Sequence, residues 1–562
     1  MYNMKCITLL IFVFFSYYPN IILSQEDTAI LINDSIEGIT QNNDISPNKQ
    51  NEFDIMISDS IKMKIDFLLA NSIGLFTFLR NDNGVYADAA RFHPPQFHPV
   101  SVATVGMGLI SLCIANELNI IENSESLVLQ TLEIMSGKYA WFKPAKNPNN
   151  GFFRHWINLN TGAREWDSEY SSIDTGILIA GALFCKNYFK NNEQLGIIAD
   201  SLYWSVDWNS SIGNPDSGEI FMTFDEDGNG LAITKPFNEY MIVAWLAKND
   251  SRNNMLATKL WDKFYSDPDS LLKSAYHDYE LLTDSADHFL SNFVIQFPYY
   301  LCHYFTANEK YLSYMNNAML ADKKYWQIIF NDSSKNHIWG TGAGASIVGS
   351  GYNADNFNNN PGKICSPHII AGFIPVNPAG IQDIISIWND SLGLYYLPDS
   401  INTELIWRFS IDSSKWTAND IQGVDYSTMI LGLASHPLIL GTEFFIEYNN
   451  FNFPKKATNI NHHFNKKNNK TNFKLSSNYP NPFNNTTNIS FKINVKGNVD
   501  LSILNINGQL IKRIISKTHE AGEYNYIWDG SDSFNNQVSS GLYFYKMRFK
   551  KFHQTEKLIL LK

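Results

Sequence analysis

Four carboxylates stand out because each falls at or just before the start of an apolar helical run. Glu169 and Asp174 lie in REWDSEYSSIDTGILIAGALFCKNYF (164–189), Glu239 in ITKPFNEYMIVAWLA (233–247) and Asp425 in WTANDIQGVDYSTMILGLA (416–434). Two carboxyl groups, one protonated and one ionised, are what general acid–base hydrolysis of a glycosidic bond requires. A helix N-terminus favours the ionised form, which suits Asp425 as the base. Glu239 lies amid Pro236, Phe237, Tyr240 and Met241, and apolar surroundings raise a carboxyl pKa, which suits an acid. The competing reading is structural. Acids in a first turn stabilise any helix by about 0.3–1 kcal/mol through its dipole.

The elements that must position these acids are helices. Ser171 followed by Asp174 reads as a capping box, and the run from Ile177 to Phe184 is apolar on every side, as in a buried helix. Helical patterns recur near 58–80, 101–118, 124–138, 171–190, 194–207, 238–248, 253–265, 288–306, 309–330, 378–392, 424–435 and 438–447. Fully apolar members alternate with amphipathic ones such as 124–138 and 253–265. This predicts an all-α domain of two concentric rings, an (α/α)6 toroid, over 58–450. The inner helices of a toroid point their starts toward one mouth, so the four acids would converge there.

Outside that domain the composition changes. Residues 1–24 carry an apolar run, Ile7–Phe15, too short to span a membrane, and read as an export signal. Residues 25–57 read as a disordered leader and 451–472 as a low-complexity linker. From 473 to 562 short β-like runs alternate with turns at Asn507-Gly508 and Asp529-Gly530, predicting a small all-β, Ig-like sandwich. The net charge of −12 and the lack of a basic cluster argue against a nucleic-acid partner. Cys113, Cys185, Cys302 and Cys365 show no metal-ligand spacing, and there is neither a phosphate-binding loop nor a nucleophile elbow, so no metal or cofactor is expected. FDEDGNG (224–230) lacks a carboxylate at the twelfth position of a calcium loop, where Pro236 stands, and reads as a turn. Trp156, Trp166, Trp339 and Trp407 are candidates to stack on sugar rings or to fill the core, and His155 to bind a hydroxyl.

The tail LSSNYPNPFNNTTNISFKI (475–493), LSILNINGQLIKRI (501–514), YIWDGSD (526–532) and SSGLYFYKMRF (539–549) resembles the type A C-terminal sorting domain of type IX secretion. The resemblance implies export across the envelope of a Bacteroidetes-type bacterium, with the secretion machinery as a partner and a secreted or cell-surface location. SEYSSIDTGILIAGALFCKNYF (168–189), with GFFRHWINLNTG (151–162), PFNEYMIVAWLA (236–247), HIWGTGAGAS (337–346) and GVDYSTMILGL (423–433), resembles the glucoamylase-like hydrolases that include bacterial endo-β-1,2-glucanases. It implies the same toroid, Glu239 as acid and Asp425 as base of an inverting reaction, and a glucan substrate. Glu169, Asp174, His155, Trp156, Trp166, Tyr240, Gln296 and Trp339 are the expected substrate contacts. Departures occur over Ile295–Leu301, where Ile295 and Tyr299 stand in place of two histidines of the family, at 340–346, which lacks its aspartate, and after Asp425, where Tyr426-Ser427-Thr428 replaces the usual Gln-Gly-Pro. A same-fold exo-glucosidase, an α-glucan hydrolase and an inactive glycan-binding surface protein are the alternative readings.

Overall fold

The computed structural model describes residues 47–561, except 94–95, 349–350, 399–402, 414–415, 456–472, 477, 482, 506–509, 535 and 550–551. The expected export signal, the leader up to residue 46 and the linker from 456 onward lie outside the described residues. The chain divides into two compact units, 1–455 and 456–562.

The first unit is helical: α1 (Pro47–Leu79), α2 (Val102–Glu117), α3 (Ser124–Met135), α4 (Ser172–Tyr188), α5 (Glu193–Trp204), α6 (Met241–Lys248), α7 (Met255–Leu260), α8 (Phe293–Leu301), α9 (His303–Thr306), α10 (Glu309–Phe330), α11 (Pro367–Gly372), α12 (Gly380–Asn389), α13 (Gly423–Ala434) and α14 (Gly441–Tyr448). Three differences from the sequence reading have local causes. Helix α1 starts at Pro47, eleven residues inside the stretch expected to be an unstructured leader (47–57). The single helix expected over 288–306 breaks at Cys302, whose extended backbone divides α8 from α9. Helix α11 is too short for a period to show, but burial of all six residues holds it.

Helices α2, α4 and α13 are buried along nearly their whole length. Small residues let them approach. A Cβ on Gly181 would lie 2.3 Å from the carbonyl oxygen of Gly106, and one on Gly106 would lie 2.4 Å from that of Ile177. The contacts climb in step, from Gly106 with Gly181 to Cys113 with Cys185 and Glu117 with Tyr188, so α2 and α4 run parallel and start at the same end. Short antiparallel ladders lead directly into those starts: Val100–Ser101 with Trp156–Ile157 before α2, Tyr170–Ser171 with Thr223–Phe224 before α4, and Ala89–Arg91 with Asp420–Gln422 before α13. Ser101 and Ser171 cap α2 and α4, accepting from the backbone N–H of Thr104 and Asp174.

The second unit has a three-stranded antiparallel sheet (Phe473–Leu475, Thr487–Ile493, Gly522–Trp528) and a four-stranded one. In the latter, Gly497–Leu504 lies between Leu510–His519 and Gly541–Phe549, and Phe552–Leu560 is at the edge. Phe491, Leu501, Trp528, Tyr545 and Met547 fill a core of its own. Among the described residues no helix is long and apolar enough to cross a membrane.

Candidate active site

The ladder strands bring His155 to the mouth of α4. Its Nδ1 is 3.1 Å from Glu169 Oε1 and its Nε2 is 3.6 Å from Asp174 Oδ1. Burial alone would depress its pKa, but Asp174, Glu169 and Asp88 outweigh it and push His155 up to about 9. At neutral pH it is an imidazolium among carboxylates. Its ring stacks on Trp156 at 3.7 Å, and the Trp156 indole N–H donates to Asp88 Oδ1 at 3.3 Å. Asp174 also accepts the Ser171 hydroxyl, so its carboxylate lies between the capping side chain of α4 and the histidine.

Glu239 precedes α6 and is half-buried. Burial raises its carboxyl to about 7, its own backbone N–H opposes the rise, and the charges of Asp174 and Asp284 add to it. Tyr240, buried beside it, feels Glu239, Asp174 and Glu169. Asp425, in the first turn of α13, is 3% exposed. Burial raises it also to about 7, against the opposing pull of the Arg408 guanidinium and the Tyr352 hydroxyl, while Asp88 pushes it further up. The helix N-terminus therefore does not hold Asp425 in the ordinary carboxylate range, as the sequence reading expected, because desolvation outweighs the dipole. Tyr352 donates to Asp425 Oδ1 at 3.3 Å, and the buried Oδ2 has no hydrogen-bond partner among the described residues.

Asp88 links the two halves. Its pKa is raised by burial, lowered by His155 and His98, and raised again by Asp174. A field of acids thus runs from Glu239 through Asp174 and Asp88 to Asp425, with His155 on one side and Arg408 on the other. Arg408 is fully buried, ion-paired to Asp355, and donates to the carbonyls of Gly342 and Ala345. It thereby fixes the base of the hairpin Ala343–Ala345/Tyr352–Ala354 that carries Tyr352.

Of the expected contacts, Glu169, Asp174, His155, Trp156 and Tyr240 gather with Glu239 in this field, and Trp166 stands beside Trp156 at 5.2 Å, 45% exposed. Two do not join them. Gln296 is fully buried, donates to the Ile369 carbonyl and packs against Gly372, so it is a core amide. Trp339 is also fully buried, its indole N–H held by Asp383 at 2.7 Å and its ring covered by Lys323. The departures at Tyr299, Tyr300 and Leu301 likewise fall in the core. Asp88, His98 and Tyr352 escaped the sequence reading because none lies at a helix start; each is a single polar residue in a connecting segment. Asp225–Asn229 forms a turn whose carbonyls accept from Asn147, Asn149 and Asn150.

Comparison with solved structures places this fold among known ones. A Bacteroides uniformis protein provisionally assigned as a glucoamylase superposes with a TM-score of 0.57 at 16% identity, over 70% of this chain and 94% of its own. The endo-β-1,2-glucanase of Chitinophaga pinensis, solved with sophorotriose and glucose, gives 0.56 at 15% identity over 70% and 97%. A β-1,2-glucanase from Parabacteroides distasonis gives 0.52 at 14% over 70% of this chain and 60% of its own. At these identities the likeness establishes a shared fold. Residues 476–551 match the family model of the FlgD Ig-like domain. No curated protein sequence matches the chain.

Proposed function

We propose that the helical unit, an (α/α)6 toroid spanning about 58–450, is a glycoside hydrolase that cleaves a β-linked glucan, most closely a β-1,2-glucan, within the chain. Glu239 donates a proton to the leaving glycosidic oxygen, and Asp425, ionised, takes one from the attacking water side, with inversion at the anomeric carbon. The observation that carries this reading is the pair of carboxyls, each at a buried helix start and each raised to about 7, at opposite ends of one field of acids. Groups poised near neutrality are suited to give and take protons in that range. His155, Glu169 and Asp174 offer hydroxyl partners, and Trp156 and Trp166 offer ring faces. The glucan-cleaving neighbours of the same fold support the substrate class.

We further propose that 473–562 is a type IX sorting domain that directs the enzyme to the cell surface or medium, with 1–24 as its export signal and a linker that begins only after Lys455, since Phe451 is buried in the helical core. Fusion of 473–562 to a reporter in a Bacteroidetes-type host tests this: the reporter reaches the surface or medium, and retention inside the cell overturns it.

A panel of linkage-defined glucans, read by product chromatography and anomeric NMR, tests the enzymatic proposal. The expected result is early release of mixed-length oligomers from β-1,2-glucan with the inverted anomer. Glu239→Gln and Asp425→Asn should each lower the rate at least about a hundredfold while leaving the thermal transition in place. Wild-type turnover in either variant removes that residue from the chemistry.

A further inference from the structure

The stack that starts at His155 does not end at Trp156. Trp166 crosses the edge of Trp156 at 5.2 Å, and Phe97 and His98 lie 6.5 and 6.3 Å from Trp166. Trp166 and Phe97 are 45% and 55% exposed. Contiguous exposed rings bordered by polar groups mark a surface that meets a ligand. Phe97 and His98 also line a cavity of about 260 Å³, together with Phe78, Leu79, Asn158, Asn160 and Glu165. That volume lies just below the ~300–1,000 Å³ usual for small-molecule sites. Asn158 donates to Glu165 Oε2, and the Asn160 backbone N–H donates to Asn158 Oδ1. A lining of apolar side chains with a few polar groups among them fits a sugar ring, which has C–H faces and hydroxyl edges. The cavity is one side chain from the acid field, since His98 Nδ1 is 3.8 Å from Asp88 Oδ2.

We propose that this cavity is an outer carbohydrate subsite, beyond the field of acids from Glu239 to Asp425, that holds a remote unit of the polymer whose scissile bond lies at those acids. The proposal rests on the glucan reading above. Phe97 supplies the stacking face, and Asn160 and Glu165 the hydroxyl partners. Affinity then rises with chain length until the chain reaches the cavity.

Calorimetric titration of the Glu239→Gln protein with β-1,2-linked oligosaccharides, from the trisaccharide to the decasaccharide, tests it. The expected gain from shortest to longest is at least about tenfold, and adding Phe97→Ala or Glu165→Gln removes most of that gain. Equal loss at every length, or no loss at any, overturns the subsite. Product chromatography on the wild-type protein separates the two failures. Glucan turnover without any gain in affinity with length overturns the subsite alone, whereas absence of both binding and turnover on every glucan overturns the functional reading with it.

Discussion

Asp425 and Glu239 are both raised to about 7, each chiefly by desolvation, so the microstate that the proposed mechanism requires, Asp425 ionised with Glu239 protonated, is most populated near pH 7. The pH profile of kcat/KM should be a narrow bell centred there. Tyr352 sharpens the prediction, because its hydroxyl stabilises the ionised Asp425. Tyr352→Phe should move the acidic limb up by roughly half to one pH unit and leave the alkaline limb in place. A shift of both limbs, or of neither, would separate Tyr352 from the base. His155 carries a stability prediction of opposite sign. Its folded pKa of about 9 exceeds the ordinary value for histidine, about 6.5, so its stabilisation is complete below about pH 6.5 and is lost as pH rises through about 9. The gap in urea midpoint between the wild type and His155→Gln should therefore narrow from pH 6.5 to 9. A constant gap across that range would mean that the ring contributes packing alone.

The helices that present these groups depend on close approach at glycine. Gly181 of α4 meets the Gly106 carbonyl of α2, and a Cβ on Gly432 of α13 would lie 2.0 Å from the carbonyl of Ala371. Backbone cannot swing aside as a side-chain tip does, so Gly181→Ala must push α2 and α4 apart. The expected cost is about 1–3 kcal/mol, at the upper end of overpacking penalties, read as a lower denaturation midpoint. Reduced glucan turnover should accompany it, because the same displacement moves Asp174. An unchanged midpoint would show that the helices separate freely. The long helices were legible because their apolar runs and caps are local signals: Ser171 and Asp174 announce α4 in the sequence, and in the structure Ser171 caps it by accepting the Asp174 backbone N–H. The short elements were not. Three-residue ladders and the six residues of α11 carry no period, and tertiary burial alone holds them. The same distinction explains the site. Glu239 and Asp425 are visible beside helix starts, whereas Asp88 and Tyr352 reach the acid field only through the pairings of Ala89–Arg91 with Asp420–Gln422 and Ala343–Ala345 with Tyr352–Ala354. Gln296 and Trp339 were misread for a related reason, since polar or indole character does not tell a lining residue from a core residue with a buried partner.

Each unit of the molecule closes a hydrophobic core from its own residues, running from Ile65 to Phe451 in the helical unit and from Leu475 to Leu560 in the β unit. Every group assigned to the acid field, from Asp88 to Asp425, comes from the first. The final segment of that unit is fastened to it: Asn187 donates to the carbonyls of Tyr448 and Asn450, and Lys186 to that of Asn452. A chain ending at Lys455 keeps these ties, and one ending before Tyr448 loses them. The longer truncation should therefore unfold cooperatively, with the midpoint of the helical transition in the full chain, and should hydrolyse glucan at the full-length rate. The shorter one should be destabilised, by about 1 kcal/mol for each hydrogen bond lost and further by the removal of Phe451 from the core. Differential scanning calorimetry of the three proteins decides the matter. If removal of 456–562 lowers the helical transition or abolishes turnover, the β unit supports the fold of the helical unit, and its role extends beyond the delivery proposed above.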